Sequence, residues 1–399
     1  MNKFVFSALT ATVVSATGFA SETEWPELDR ELEALSTTIQ TQTSSPFMLS
    51  GWIGAAWDAS GDVTFTDPTT GEQDDLGGFD IRTARLRAEG DVRNYGYRVE
   101  FDFGNNVGGI NDITAQNYGA LGQSRPVAGS PEEATQLAGI QNPSYTPTLL
   151  DAWGAVTVAE AFKITVGRFR QPFLQSGLVD RNRTLFVDRT YLGSVYSQRD
   201  EGVMLSGKFS MVGWYLSAQN GQDGVANKYL LTGRVTLDIL GEGAGHNAMT
   251  AYGAPEGTNL TVAAAFANDD SFDKGNQFGG ELYLTAGPFF LGGEIVSWDG
   301  DSNDQGVGDA TPWNVRAAYL IANAYEIALG YQDYNRALTT NMAGTVTSTS
   351  ADSDRAYIAA VNWYHDDWDT KWTLQYSRRD ANDDAFDADV ISIGLTVSF

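Results

Sequence analysis

The sequence predicts an all-β protein, a 16-stranded antiparallel transmembrane β-barrel with a short N-terminal periplasmic helix. Three observations lead to this prediction. From Phe47 to the C-terminus apolar and polar side chains alternate with a period of two, the alternating segments number sixteen, and the connections between them are alternately short and long. Single-chain bacterial barrels have an even number of strands, with short turns at one end and long loops at the other.

The composition narrows the class of protein before any motif is considered. The 399 residues include 51 Asp and Glu against 25 Lys and Arg, a formal net charge of −26, with two His and no Cys. The lack of Cys excludes disulfide frameworks and thiolate metal sites, and the acidity argues against nucleic acid as a partner. The 43 Gly, the 11 Pro and the 12% of aromatic residues suit many strands and turns, and no cofactor is expected.

Residues 1–20 are predicted to be a secretory signal peptide. Lys3 precedes an apolar run over 4–14, and small residues lead to a cleavage site after Ala20. Beyond it, no stretch approaches the roughly 18 apolar residues that a spanning helix needs. The exported chain is therefore either soluble outside the cytoplasm or a membrane β-barrel, and the period of two must decide between them.

Residues 21–46 are predicted to form a periplasmic helix and a linker. Apolar residues recur there at heptad spacing, at Trp25, Leu28, Leu32, Leu35 and Ile39. A helix this short is marginal alone, so it needs a packing partner. Two interpretations stay open: a short oligomeric coiled coil, or a single amphipathic helix that packs against the rest of the protein.

Residues 47–399 are predicted to form the barrel. Aromatic residues stand at both ends of apolar rows, as in the outward series of 313–319 and 325–331, which is typical of strands that face lipid. The predicted strands are 47–58, 79–92, 95–104, 149–157, 162–169, 201–209, 211–221, 227–238, 258–268, 276–285, 289–298, 311–320, 325–334, 355–364, 369–379 and 388–399.

Two irregularities interrupt this pattern. Phe79 and Ile81 have the opposite parity from Ala84 and Leu86, which predicts a bulge or a later strand start near Arg82. The connection 239–257 should be one of the short turns and is long instead.

Four segments resemble known outer-membrane proteins. The terminal Phe399 resembles the C-terminal signal of chains handled by the bacterial outer-membrane insertion machinery. Residues 82–104 (RTARLRAEGDVRNYGYRVEFDFG), 164–173 (ITVGRFRQPF) and 199–207 (RDEGVMLSG) resemble the phosphate-selective porin O/P family. The resemblance implies a trimeric, 16-stranded porin whose third long loop folds into the channel.

A barrel of about 16 strands leaves a water-filled lumen, so the residues that face inward should carry the function. The residues that alternate with the apolar rows include both positively and negatively charged side chains. A lumen lined by both signs of charge suits the passage of hydrated polar solutes. For each of these residues the alternative to a functional role is a side chain that is simply solvated or paired with another residue of the barrel wall. The selected pore-lining residues are Arg85, Arg87, Arg98, Glu100, Asp102, Lys163, Lys228, Arg234, Glu281, Glu294, Arg316, Glu326 and Lys371.

The loop 170–200 is the predicted constriction, because basic residues outnumber acidic ones there in a chain that is acidic elsewhere. Rings of Arg or Lys select anions, which predicts an anion preference. The alternative is that the arginines pair with nearby acids and hold the loop in place. The resemblance to the phosphate-selective porins implies further basic clusters in other long loops, but the fifth long loop, 269–275, has a single Lys. General or mildly selective diffusion is therefore expected rather than phosphate specificity. The charged residues of the loop are Arg170, Asp180, Arg181, Arg183, Asp188, Arg189, Arg199 and Asp200.

Other functions are less well supported. Acidic residues cluster in the predicted outer loops, where weak divalent bridging to lipopolysaccharide is conceivable, but 299–310 departs from an EF-hand at two required positions. Catalysis would need a histidine base, and His246 and His365 both fall at the predicted periplasmic edge. The sequence therefore predicts an outer-membrane homotrimer that passes small hydrophilic solutes or ions, with the N-terminal helix and the C-terminus in the periplasm. A plugged or adhesive barrel without a through-channel remains the alternative.

Overall fold

The computed structural model describes residues 47–66, 73–104, 147–159, 161–221, 227–270, 275–299, 307–342, 345–351, 355–380 and 388–399. The predictions for the signal peptide, for the 21–46 helix and for most of the loop 105–148 lie outside these residues. No helix among the described residues is long and apolar enough to cross a membrane.

Sixteen long strands among the described residues form a closed antiparallel barrel. Each long strand pairs with its neighbours in chain order, and pairing of the last with the first closes the ring, for example Ile53 with Val397. Every one of the sixteen predicted segments overlaps one of them. The strands are β1 (Met48–Thr66), β2 (Gln73–Val92), β3 (Tyr95–Asp102), β4 (Thr148–Ala159), β5 (Phe162–Arg170), β6 (Arg199–Phe209), β7 (Val212–Gln219), β8 (Leu230–Leu240), β9 (Thr258–Asp269), β10 (Asn276–Ala286), β11 (Phe289–Asp299), β13 (Trp313–Ile321), β14 (Tyr325–Asp333), β17 (Arg355–Asp366), β18 (Thr370–Asp380) and β19 (Ala388–Ser398).

Three short strands extend the sheet at the end where the long loops lie. They are β12 (Val307–Ala310), β15 (Arg336–Met342) and β16 (Thr345–Ala351). β15 and β16 form a hairpin within the connection between β14 and β17, which pair directly with each other. These three strands therefore belong to the loops and not to the barrel wall.

The predicted bulge at Arg82 is confirmed. Gly54 lies opposite Thr83, and the next residue, Ala55, lies opposite Ile81, so Arg82 is the extra residue on β2. The extra residue reverses which alternate side chains of β2 face inward. After the bulge, Arg85 and Arg87 face the lumen and Leu86 faces out.

The outer surface of the barrel is apolar and is flanked by aromatic residues at both ends. On β14, Ile327 and Leu329 are exposed while the intervening Ala328 is fully buried. Rings from neighbouring strands contact one another toward the long-loop end, at Trp313–Tyr331 and Tyr331–Tyr357, and toward the short-turn end, at Phe289–Tyr319 and Tyr325–Trp363. This is the pattern of a membrane-spanning barrel, with aromatic girdles at the two interfaces.

The seam between the first and last strands is tight. Gly51 and Phe399 exchange two backbone hydrogen bonds of 2.9 Å. A Cβ on Gly51 would lie 2.2 Å from the carbonyl oxygen of Arg85 and 2.7 Å from Cζ of Phe399, so only glycine fits. The terminal aromatic residue is thus part of the closure.

Candidate functional site: the lumen and its inward loop

Residues 171–198, called here the inward loop, occupy the barrel lumen. The loop contains two short helices, α1 (Gln175–Leu178) and α2 (Tyr191–Val195), and a 3-10 turn, Arg181–Arg183, between them. Its tip reaches close to the short-turn end, where Asn182 donates to Ser398 near the C-terminus at 3.1 Å and the Arg183 guanidinium lies 5.4 Å from the Trp368 ring. The loop that the sequence singled out by its charge therefore runs down the inside of the barrel.

Wall side chains hold the inward loop through its backbone. Glu281 and Glu294, which lie opposite each other on β10 and β11, accept from the backbone N–H groups of Gln175 at 2.8 Å and Ser176 at 3.1 Å. A buried backbone N–H needs such an acceptor. The same two carboxylates pair with the guanidinium groups of Arg234 and Arg316, and Tyr283 donates to Glu294 at 2.5 Å, so these predicted pore-lining residues anchor the loop.

Uncharged amides on the wall complete the anchoring. Gln332 accepts from the N–H of Tyr191 at 2.7 Å, and Gln375 accepts from the N–H of Val187 at 3.0 Å. Asn362 donates to the carbonyl of Leu185 at 2.9 Å. A selection based on charge missed these residues, although their parity already placed them on the inward face.

Arginines on β2 form a buried ion-pair network with the wall and the loop. Arg85 and Arg87 both pair with Glu100, at 2.9 and 2.6 Å, and both lie over the Trp52 ring. Arg85 also pairs with Asp102 at 3.0 Å, and Arg87 pairs with Asp180 of the inward loop at 2.8 Å. Burial opposes ionisation of Asp180, but the Arg87 guanidinium outweighs burial and holds the pKa of this carboxyl below its usual range.

Most of the other predicted constriction residues are also paired. Arg181 pairs with Asp188 at 2.7 Å, and Asp188 also receives the bulge residue Arg82. Arg199 pairs with Asp151 at 2.6 Å, and Arg189 donates to the carbonyl oxygens of Ser176, Gly177 and Val179 and so fixes the turn after α1. These contacts favour the second of the two interpretations, in which the arginines hold the loop in place, and the choice between the two stays a prediction.

Arg183 and Arg170 are different. Within the described part of the chain neither has an ion-pair partner: Arg183 packs on Trp368, and Arg170 lies near three other guanidinium groups and one acid, Asp151. Both side chains keep partial exposure. Among the described arginines of the predicted constriction, these two are partly exposed and unpaired with a carboxylate, whereas Arg189, which also has no carboxylate partner, is buried.

The remaining predicted residues lie at different depths. Arg98 pairs with Glu89 at 2.6 Å, Lys163 lies 5.1 Å from the Trp153 ring, and Lys371 is buried and donates to the carbonyl of Thr184. Asp200 is buried at the start of β6.

Lys228 lies outside the barrel wall, because it precedes β8 and donates to the carbonyl of Asp270 at 2.8 Å. The parity argument misplaced Lys228 because β8 begins two residues later than Lys228.

Apolar packing fills one side of the lumen. Phe173, Leu174, Tyr191 and Leu192 pack on β8, β9 and β11, while Leu185 and Phe186 pack on β10, β13, β14 and β17. Toward β1 and β19, one cavity beside the loop measures about 20 Å³, room for about one water. Partly exposed inward side chains remain on β3, β4, β5 and β7, namely Arg98, Trp153, Lys163 and Tyr215.

A closed barrel with an apolar exterior, aromatic girdles and a polar lumen narrowed by an inward loop defines an outer-membrane porin. Over residues 57–237 the chain matches the family model described as phosphate-selective porin O and P, and the chain is a bacterial outer-membrane porin that resembles this family. No curated protein sequence matches it significantly.

Several solved outer-membrane proteins have a similar fold. The outer membrane channel DcaP of Acinetobacter baumannii is 13% identical, with a TM-score of 0.52 over 89% of this chain and 97% of that chain. The outer membrane protein OmpT of Vibrio cholerae, in its trimer form, is 10% identical with a TM-score of 0.49, over 89% and 99% of the two chains. A mutant of the porin of Rh. blastica is 11% identical with a TM-score of 0.48, over 89% and 100%.

Proposed function

We propose that this porin passes small hydrophilic solutes by passive diffusion and prefers anions at the tip of its inward loop. The observation that carries the preference is the position of Arg183, a cation with no described ion-pair partner at the narrow short-turn end of the loop. The nearby arginines that pair with acids contribute little net field, and Arg189 is buried against backbone carbonyl oxygens. Anions therefore experience mainly Arg183 and Arg170.

The proposal includes orientation and assembly. The short-turn end, with the C-terminus and the N-terminal segment, faces the periplasm, and the long loops face outward, as is usual for such barrels. The protein assembles as a homotrimer, as its resemblance to the phosphate-selective porin O and P family suggests. Lipids of the outer membrane cover the rest of the apolar exterior.

Liposome swelling tests the diffusion function. Vesicles that contain the refolded protein should swell in small sugars, and the rate should fall as the sugar grows. At equal size an anionic solute should enter faster than a cationic one, because Arg183 and Arg170 favour negative charge. Equal entry of both signs would refute the selectivity, and no swelling above that of protein-free vesicles would refute the open pore.

A plugged barrel is the second candidate, and the two apolar clusters inside the barrel favour it. In that case the wall and the loop would form a continuous core, and the protein would act through its outer loops. The swelling experiment separates the two candidates, since a plugged barrel passes no sugar of any size.

A further inference from the structure

The connection between β8 and β9 departs from its counterparts at the short-turn end. It covers residues 241–257, called here the inward turn, whereas the other connections at that end cover two or three residues. Its central residues are not at the surface: Ala244, Met249 and Thr250 are no more than 1% exposed, and Ala251 is 4% exposed. A surface loop would leave such residues in solvent, so this connection is folded into the barrel.

The base of the inward turn is fixed by one buried carboxylate. Asp238, near the end of β8, accepts hydrogen bonds from His246 at 2.7 Å, from Thr261 at 2.8 Å and from Lys208 at 2.8 Å. Gly243 has a φ of +87°, and a Cβ there would lie 2.2 Å from Oδ1 of Asp238. The chain therefore turns sharply over Asp238 and enters the lumen at a defined angle.

The inward turn meets the inward loop. The N–H of Met249 donates to the carbonyl of Arg183 at 3.0 Å, and the side chain of Gln175 donates to the carbonyl of His246 at 3.1 Å. Met249 and Ala251 share an apolar cluster with Leu185 and Phe186 of the loop. The peptide that carries Arg183 thus rests on the inward turn.

The inward turn also crosses to the opposite wall. The N–H of Ala251 donates to Glu326 on β14 at 2.7 Å, and the ring of Tyr252 stacks on Tyr364 of β17 with centroids 3.9 Å apart. Tyr252 donates to Asp367 at 2.9 Å, and burial together with this carboxylate raises the pKa of Tyr252 to about 12, so the phenol remains a donor at neutral pH. The segment therefore spans the opening from β8 to β17.

We propose that the inward turn is a second constriction element, which narrows the short-turn opening and supports Arg183 from below. The inference rests on the proposed diffusion function. In this proposal the inward turn limits the size of the conductance, and Arg183 and Arg170 determine the preference for anions. The turn brings Glu242 and Glu256 at its exposed ends and no Lys or Arg, so it narrows the path without adding a permanent positive charge.

Removing the inward turn tests the proposal. A variant that lacks 244–254, so that Gly243 joins Pro255, should form the barrel, since the hairpin β8–β9 keeps its ladder. Its single-channel conductance should rise about twofold or more, because conductance follows the width of the narrowest section. Resistance of the folded form to unfolding in detergent, compared with wild type, establishes that both are barrels.

The outcomes separate this inference from the proposed function. A conducting wild type with a more conductive deletion variant supports the inference. A conducting wild type and an unchanged variant overturn it and leave the diffusion function intact. A silent wild type whose deletion variant conducts overturns the function as an open pore and makes the inward turn its closure, and silence of both overturns both.

Cysteine scanning gives a second test that needs no deletion, because the chain has no Cys. Asn247→Cys places a thiol on an exposed position of the inward turn, and a bulky charged thiol reagent should attach there and lower the conductance. Met211→Cys, exposed at the same end in the turn between β6 and β7, is the matched control. Equal effects at both positions, or none at Asn247→Cys after verified labelling, would contradict the proposal.

Discussion

At the scale of single residues, the lumen contains two kinds of arginine. Arg85, Arg87, Arg181 and Arg199 are each within hydrogen-bond distance of a carboxylate, so removal of one takes a guanidinium partner away from an acid inside the barrel. Arg183 has only the Trp368 ring among the described contacts of its guanidinium. Substitution of a paired arginine changes folding and pore charge together. Substitution of Arg183 is therefore the cleaner test of charge preference.

Arg183→Gln is expected to lower the anion preference. A unit charge about 4 Å from an ion contributes about 1 kcal/mol in water, which corresponds to about a fivefold change in the permeability of each ion, in opposite directions for anions and cations. The reversal potential in a salt gradient measures this ratio. Arg168→Gln is the control, because Arg168 pairs with Glu201 at 2.8 Å on the outer face of the barrel. A shift as large in the control as in Arg183→Gln would exclude a pore position for Arg183.

Asp180→Asn is expected to raise the anion preference, since Arg87 then keeps only Glu100 as its partner. The lowered pKa of Asp180 fixes how this effect varies with pH. Because the folded-state pKa lies below the ordinary value, Asp180 remains ionised as the pH falls from about 8 to about 5. The difference in reversal potential between variant and wild type should stay constant over that interval. A difference that vanishes by about pH 5 would mean that the carboxyl has a raised pKa, because an ordinary Asp carboxyl, with a pKa of about 3.9, is still ionised at that pH.

At the scale of elements, the strands were predictable and the segments inside them were less so. The period of two located all sixteen barrel strands and the bulge at Arg82, because each residue of a strand faces either lipid or lumen. Periodicity contains no information about contacts between distant segments. The packing of 241–257 against Arg183 and the role of Gln332 and Gln375 as loop acceptors therefore emerged only from the structure.

The seam between β1 and β19 gives a prediction about closure. Gly51→Val would place a side chain against the carbonyl of Arg85 and the ring of Phe399, so the first and last strands should fail to meet. The measurement is the yield of heat-modifiable barrel after refolding in detergent, which is expected to fall sharply. Gly154→Val on β4 is the matched control, since a Cβ there meets nothing within 4 Å. Equal yields of the two variants would show that the seam tolerates a side chain.

At the scale of the whole molecule, two segments enter the barrel from opposite ends and meet at Arg183. The inward loop descends from the long-loop end, the inward turn rises from the short-turn end, and apolar packing attaches both to the wall from β8 to β17. Sequence charge singled out the loop 170–200 and left open whether its arginines select anions or hold the loop in place. Its carboxylate pairs neutralise part of the positive charge that the sequence concentrates there.

The most direct test of an open porin with a basic constriction is the single-channel conductance and reversal potential of the purified wild-type protein in a planar bilayer under a salt gradient. We expect discrete open steps in groups of three and a reversal potential on the anion-selective side, set by Arg183 and Arg170. A cation-selective reversal potential would show that the acidic walls dominate the loop. The absence of any conductance would contradict the open pore itself.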